Sequence, residues 1–422
     1  MIRPVAGTVA ARILVTVLNL LLIVIGGHSL GVSGLGLMSL IVLGVTIILL
    51  LNHVVGGGGL VYLVPRYGVQ SLLMPAYAWA AITAAVAYTV QLFVPLVPQE
   101  LAVHVVFLAF LQSLNSIHLN VLLGRERIAL QNGILVAGSV IQVVAFAALI
   151  RSDGAGIMDY VWATYLAHGT TALISGAFML FGTAERKAAN EPVVRALFRQ
   201  GGLAQMANLL QLLNYRFSYY LIERFQGLGT LGVFSVTTQL AEGAWLVPKS
   251  IGGVLYSKVS NLEEAARQRE LTLVLYKVAV IVGALFSLSL LIVPVAFYSW
   301  VFGPEVRGLR PVLACMVPGL LAMSGSQVLS HYLSGTGRIH HNTIGSGLGL
   351  LVTLPVGFVL IPAHGLIGAA ITTSAAYTAS VAYQTVVFLR GTSTSWLELL
   401  PHAGDGRRVL KVWKRARERL LG

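Results

Sequence analysis

Long apolar runs separated by short polar breaks fill the chain from one end to the other. The runs are about 20 residues long, the length a helix needs to cross the hydrocarbon of a bilayer, whereas barrel strands alternate over about 10. Reading each run as one helix predicts twelve spans, at 8–27, 37–55 with a glycine-rich continuation, 73–94, 101–123, 133–150, 160–181, 201–222, 231–256, 271–297, 311–333, 343–361 and 366–389. The breaks are short, so neighbouring helices should be antiparallel. In lipid the backbone must satisfy its own hydrogen bonds. The predicted fold class is therefore an all-α polytopic membrane protein.

The pattern also repeats. Gly58-Gly59-Leu60-Val61-Tyr62 returns as Gly252-Gly253-Val254-Leu255-Tyr256, and Leu35-Gly36-Leu37-Met38-Ser39 returns as Leu231-Gly232-Val233-Phe234-Ser235. Gly124-Arg125-Glu126-Arg127-Ile128, shortly before Asn132, returns as Gly335-Thr336-Gly337-Arg338-Ile339 before Asn342. The three matches keep their order. Each half holds an even number of spans, which makes the repeats parallel, related by an axis along the membrane normal. The expected organisation is a six-helix lobe over 1–182, a basic linker over 183–199, a second six-helix lobe over 200–389 and a basic tail over 390–422. Gly56 to Gly59 should interrupt the second span, and Pro248, Gly252 and Gly253 the eighth; paired interruptions in two repeats point to a transport path.

Composition agrees with the pattern. The 422 residues are 56% hydrophobic and only 10% charged, with mean hydropathy +0.82, against about 25% charged in a soluble domain. Cys315 is the single cysteine, which excludes an internal disulfide. The first apolar segment has no cleavage-like end and reads as a retained helix. Charge sets the orientation. With the N-terminus in the cytoplasm of a cell with an inner membrane, the inner loops hold Arg66, Arg125, Arg127, Arg186, Lys187, Arg195, Arg199, Lys258, Arg267, Arg269 and Arg338, while the outer loops hold Arg151, Arg224, Arg307 and Arg310. Both termini are then cytoplasmic. The tail over 407–421 alternates apolar and basic residues at helical spacing, as expected of an amphipathic helix on anionic inner-leaflet lipids. The net charge of +13 lies mostly in this tail and the inner loops and needs no nucleic acid to explain it.

Few ionisable residues fall inside the spans: Arg12, Arg216, Glu242, Lys249 and Lys277. A charge at the bilayer centre costs at least about 2.5–3.5 kcal/mol, so such residues face a wet cavity or a partner. Lys277 is near enough to the inner end of its span to snorkel. Glu242 and Lys249, seven apart, would project from one face of a continuous helix. Arg12, Arg216 and Lys249 against the single Glu242 would make a cationic cavity suited to a phosphate or pyrophosphate. The alternative is that Arg216 and Lys249 neutralise Glu242 and fix helix packing. Asn19 and Asn214 hold related positions in the first and seventh spans, and Gln205, Asn208 and Gln211 form a polar stripe leading towards Arg216, a path for sugar hydroxyls. Singly, each of these is more often an interhelical hydrogen bond. Asn115, His118 and Asn120 lie in the fourth span; His118 and His168 could carry protons, though a satisfied helix contact is the commoner role. No zinc-ligand spacing, phosphate loop or nucleophile elbow occurs, so no cofactor, metal or catalytic residue is expected.

The chain resembles the polysaccharide and O-antigen flippases of the multidrug/oligosaccharidyl-lipid/polysaccharide exporter superfamily. The residues that carry the resemblance are Leu30-Gly31-Val32-Ser33-Gly34-Leu35-Gly36, Trp245-Leu246-Val247-Pro248-Lys249-Ser250-Ile251, Tyr332-Leu333-Ser334-Gly335-Thr336-Gly337-Arg338 and Gly365-Leu366-Ile367-Gly368-Ala369-Ala370. The resemblance implies two lobes, a cationic central cavity, alternating access and no enzymatic activity. It implies a lipid-pyrophosphate-linked oligosaccharide as substrate, moved from the cytoplasmic to the outer face, with Arg12, Arg216 and Lys249 as candidate cavity cations, joined by Glu242, Asn19, Asn214, Gln211 and Asn208. A glycan polymerase or glycosyltransferase is a further expected partner. The lipid II flippase branch carries two more helices than the spans found here. A cation-coupled multidrug antiporter of the same architecture is the alternative; it favours acidic cavities, and this chain has only Glu242 deep in a span.

Overall fold

The computed structural model describes residues 2–151, 155–180, 192–262 and 264–400. The tail over 407–421 and most of the linker lie outside them. All regular structure among the described residues is helical: α1 Ile2–Ser29, α2 Gly31–Gly56, α3 Gly59–Tyr67, α4 Val69–Phe93, α5 Gln99–Gly124, α6 Ile128–Leu149, α7 Ile157–Leu180, α8 Val193–Glu242, α9 Leu246–Val259, α10 Ala265–Ile292, α11 Val295–Phe302, α12 Leu309–Gly335, α13 His340–Thr392 and α14 Trp396–Leu399. Eight helical stretches among them are long and apolar enough to cross a membrane.

The breaks fall at glycines, with one correction. The second span is interrupted between Gly56 and Gly59, as the glycine run predicts. Non-helical backbone at Gly227 and Gly365 lies where the spans 201–222 and 231–256, and 343–361 and 366–389, were separated. The eighth span, however, is not broken at Pro248, Gly252 and Gly253, which lie inside α9. It is broken earlier, by a single 3-10 turn over Gly243–Trp245. Gly252 instead gives close access to α12, where an added Cβ would strike His331 and the carbonyl of Gln327.

Two compact units divide the chain. The first comprises Met1–Leu209 with two later segments, Leu228–Gly232 and Ser299–Val306. Its core gathers Leu60, Leu63, Val64, Leu72, Ile117, Val121 and Leu122 from α3, α4 and α5. Trp79 closes it by donating its indole N–H to the Leu51 carbonyl at 3.0 Å. The two borrowed segments are held by backbone. Val32 N–H at the start of α2 donates to the Glu305 carboxylate at 3.0 Å, and His28 lies 3.0 Å from the Trp300 carbonyl. Gly36 of α2 and Gly232 of α8 meet in a reciprocal crossing: a Cβ on Gly36 would collide with the Leu228 carbonyl, and one on Gly232 with the Val32 carbonyl. Small residues let two backbones approach this closely in the absence of a hydrophobic drive between helices in lipid.

The second unit comprises Leu210–Gly227, Val233–Tyr298 and Arg307–Gly422. Its core joins Leu255 and Val259 of α9 to Val328, Leu329, Tyr332 and Leu333 of α12 and Phe388 of α13. Where α13 ends, Arg269 of α10 donates to Thr394 at 2.7 Å and pairs with Glu398, while Ser395 and Glu398 form a capping box over α14. Lys277, free by its position in the sequence to snorkel, is buried in this unit.

The third sequence match builds the same turn in each unit. After α5, Glu126 N–H bonds to Leu123 and Arg127 N–H to Leu122; after α12, Gly337 N–H bonds to Ser334 and Arg338 N–H to Leu333. Both are Schellman motifs, which need one residue in the left-handed region. Gly337 supplies it with φ +76°, whereas the first unit uses Glu126 at φ +59°. Gly124 and Gly335 each sit against the short helix of their own unit, on Val61 and Val64 of α3 and on Tyr256 and Val259 of α9.

Candidate functional site

The deepest polar feature of the second unit grows from α8. Two turns of aromatic and polar residues, Asn214 to Tyr220, bring Arg216 onto the face that meets the end of the same helix, where Glu242 is the last residue. The guanidinium grips the carboxylate in a fork: Nη1 bonds Oε1 and Nη2 bonds Oε2, the latter at 2.7 Å. The two side chains are 19% and 23% exposed. A paired geometry of this kind is what makes such charges tolerable away from water.

Aromatic rings wall the pair. Arg216 lies 5.2 Å from the centroid of the Tyr219 ring, and Tyr219 exchanges a hydrogen bond of 2.6 Å with Thr238. Tyr215, Trp245 and Tyr377 form a triangle with centroids 5.4–5.8 Å apart. Gln211 donates to the Tyr215 hydroxyl at 3.0 Å. Three polar groups in this region are buried and have no hydrogen-bond partner: the Trp245 indole N–H, the Tyr377 hydroxyl and both ends of the Asn214 amide. Gly349 makes the room for Asn214, whose amide an added Cβ would strike. Buried polar atoms without partners are rare and mark places where water or a ligand group belongs.

The other expected site residues are distributed differently. Lys249 does not join the Arg216–Glu242 pair, and a 3-10 turn over Gly243–Trp245 lies between Glu242 and Lys249. Lys249 is exposed on α9, and Arg12 and Asn19 are exposed on α1. None of the ion pairs among the described residues involves Lys249 or Arg12. Asn208 is exposed and donates to Gln205 at 3.0 Å within the first unit. The aromatic wall escaped the sequence reading, although the tyrosines around Arg216 at positions 215, 219 and 220 were a visible signal.

The first unit has its own buried network. His118 lies between the Tyr77 hydroxyl at 2.6 Å and the Ser175 hydroxyl at 2.9 Å, and Ser175 donates to Asn115 at 3.3 Å. It joins α4, α5 and α7 as a satisfied helix contact. Asn120 donates to the Gly56 carbonyl at 3.2 Å, at the break after α2.

No protein-family model matches the chain, and no curated protein matches it in sequence. Solved structures do match in fold. An inward-facing multidrug resistance MATE family transporter of the MOP superfamily superposes with a TM-score of 0.71 at 15% identity, over 90% of this chain and 94% of that one. The lipid II flippase MurJ in an inward closed conformation gives 0.69 at 14% identity, over 94% and 89%. A MOP superfamily transporter from Pyrococcus furiosus, noted for the reversed polarity of its binding pocket, gives 0.56 at 14% identity, over 92% and 96%. The chain is thus a multi-pass, all-α membrane protein with the fold shared by MATE transporters and the lipid II flippase.

Proposed function

We propose that this protein is a membrane exporter that moves a lipid-pyrophosphate-linked oligosaccharide from the cytoplasmic to the outer face by alternating access. The observation that carries the reading is the distribution of charge. Glu242, the one deep carboxylate singled out in the sequence, is already engaged by Arg216. Among the described residues Lys249 and Arg12 have no ion pair, so the uncompensated charge on these spans is positive. Positive charge held in a membrane protein attracts a phosphate-bearing substrate and repels a cationic drug. In this reading Lys249 and Arg12 are the cations offered to the pyrophosphate. Gln211, Asn208, Asn19 and the orphaned Asn214 offer hydrogen bonds to sugar hydroxyls, and Arg216 with Glu242 fixes the helix that carries Gln211 and Asn214.

The test is translocation in proteoliposomes of a fluorescent lipid-pyrophosphate-linked oligosaccharide, beside a cationic dye. Lys249→Gln and Arg12→Gln should slow glycan translocation at least about tenfold without lowering protein level, since each removes a charge-assisted contact. Wild-type rates in both variants would refute the role of these cations. Transport of the dye but not of the glycan would establish the antiporter alternative.

A further inference from the structure

The turn between α5 and α6 departs from local rules twice in adjacent residues. Glu126 takes the left-handed conformation at φ +59° that its counterpart leaves to Gly337. Beside it, Arg125 has a guanidinium nitrogen, Nη1, that is buried and has no hydrogen-bond partner. The fold does not demand the arginine, because the same Schellman turn is built in the second unit with Thr336 at the equivalent position, bonded to its own helix at the Tyr332 carbonyl. Strain and an unsatisfied charge at one place are the signature of a functional site rather than a packing solution.

None of the ion pairs among the described residues involves Arg125. Burial, and then the charge of Arg127, push its guanidinium below the ordinary range. The Glu126 carboxylate is exposed and no bond or ion pair joins it to Arg125. Arg66 of the adjacent α3 is occupied, stacked 3.6 Å over the Tyr62 ring and bonded to the Tyr62 carbonyl. Asn132 of α6 donates to Thr8. Arg127 is also the residue at which α6 begins, and no side chain caps that helix start. A guanidinium nitrogen lacking a partner, a second arginine and an uncapped helix N-terminus suit the chemistry of one ligand, an oxyanion with several acceptor oxygens.

We propose that Arg125, Arg127 and the start of α6 form a binding site for a phosphate group, on the face of the first unit that the charge bias assigns to the cytoplasm. Arg125 supplies the planar fork and Arg127 the supporting field. The phosphate is either a free anion or the headgroup of an anionic lipid, and the site stands whether or not the chain exports a glycan.

The experiment uses the full chain in a neutral detergent. Thermal unfolding and direct binding are measured with inorganic phosphate, with dihexanoyl phosphatidic acid and with dihexanoyl phosphatidylcholine. Saturable binding of a phosphate probe is expected, weakened at least about tenfold by Arg125→Gln and by Arg127→Gln, and unchanged by Arg151→Gln on an exposed turn elsewhere. Arg125→Lys should lie between, because it keeps the charge and loses the fork; it also serves should Arg125→Gln fail to fold. Equal binding of inorganic phosphate and the lipid assigns the site to the free anion, and binding of phosphatidic acid alone assigns it to a headgroup; both uphold the proposal. Equal affinity in wild type and the Arg125 and Arg127 variants, equally tight binding of phosphatidylcholine, or no saturable binding of either phosphate probe overturns it.

Discussion

Gly36 and Gly232 each stand where the other's helix needs its space: the Cβ position of Gly36 points at the carbonyl of Leu228, one turn before Gly232, and that of Gly232 at the carbonyl of Val32, one turn before Gly36. The obstruction on both sides is backbone, which cannot rotate out of the way as a side chain can. Gly36→Ala or Gly232→Ala should therefore force α2 and α8 apart and destabilise by about 1–3 kcal/mol, the usual range for overpacking. Gly229→Ala is the internal control. An added Cβ there would meet only Ser33 and Val32 side chains at 3.5 Å, ordinary contact, and the variant should unfold near the wild-type temperature. Thermal unfolding in detergent reads all three; equal midpoints would mean that the crossing has slack.

Arg216 and Glu242 make a paired prediction. Removing one partner strands the other, which costs about 3–5 kcal/mol for a fully buried pair and about 2–3 kcal/mol here once the partial exposure of both side chains is discounted. Arg216→Gln and Glu242→Gln should each destabilise by that amount, and the double substitution by less than the sum. Additive losses in such a cycle would show that the two side chains do not depend on each other.

Glu126→Gly should stabilise the protein. Left-handed backbone costs a residue with a Cβ roughly 1–2 kcal/mol, and part of the gain is offset by the greater freedom of glycine in the unfolded chain. The net expectation is a gain of about 0.5–1 kcal/mol. Gly337→Glu, the mirror experiment in the second unit, should lose a similar amount. A loss from Glu126→Gly would mean that the carboxylate holds the turn.

Acid should release α14. The backbone N–H of Ser395 bonds the Glu398 carboxylate, and with Arg269 it holds that carboxyl below its ordinary value of 4.5. Because the folded value is depressed, the contribution is complete above about pH 4.5 and is lost as pH falls through the lower folded value. Amide protection over residues 394–399, corrected for the pH dependence of intrinsic exchange, should be flat at neutral pH and fall only below that point. Glu398→Gln should show the fast exchange at all pH values; a wild-type transition near neutrality would exclude Glu398 as its source.

Much of this was legible in the chain, for reasons that are local. Membrane helices announce themselves by the length of apolar text, and the breaks at Gly57 and Gly227 follow from glycine runs. The repeated turn was visible as Gly124 to Ile128 against Gly335 to Ile339, because a Schellman motif is encoded within a few residues. What the text could not show was which side chains meet. Leu35-Gly36 and Leu231-Gly232 were recognised as copies, but nothing in either copy says that they pack on one another. A single helix through Glu242 and Lys249 is what the text suggests; the 3-10 turn at Gly243–Trp245, which has no strong sequence marker, interrupts that helix between them. The Arg216–Glu242 pair was visible only as one of two alternatives, and the unsatisfied nitrogen of Arg125 not at all, since satisfaction depends on neighbours from other helices.

The carboxylate of Glu305 that accepts the Val32 N–H carries a consequence for biogenesis. The first unit incorporates Leu228–Gly232 and Ser299–Val306, so it cannot be finished when its own opening helices emerge from the ribosome. The start of α2 waits for a residue made 273 positions later. Until then its leading amide must be served by water or by the insertion machinery. A fragment ending within the linker should insert yet remain protease-sensitive around Gly31, and supplying the remainder of the chain as a separate polypeptide should restore protection. Restored protection would show that maturation of the N-terminal part is gated by translation of the C-terminal part, with the whole chain rather than either half as the unit of assembly.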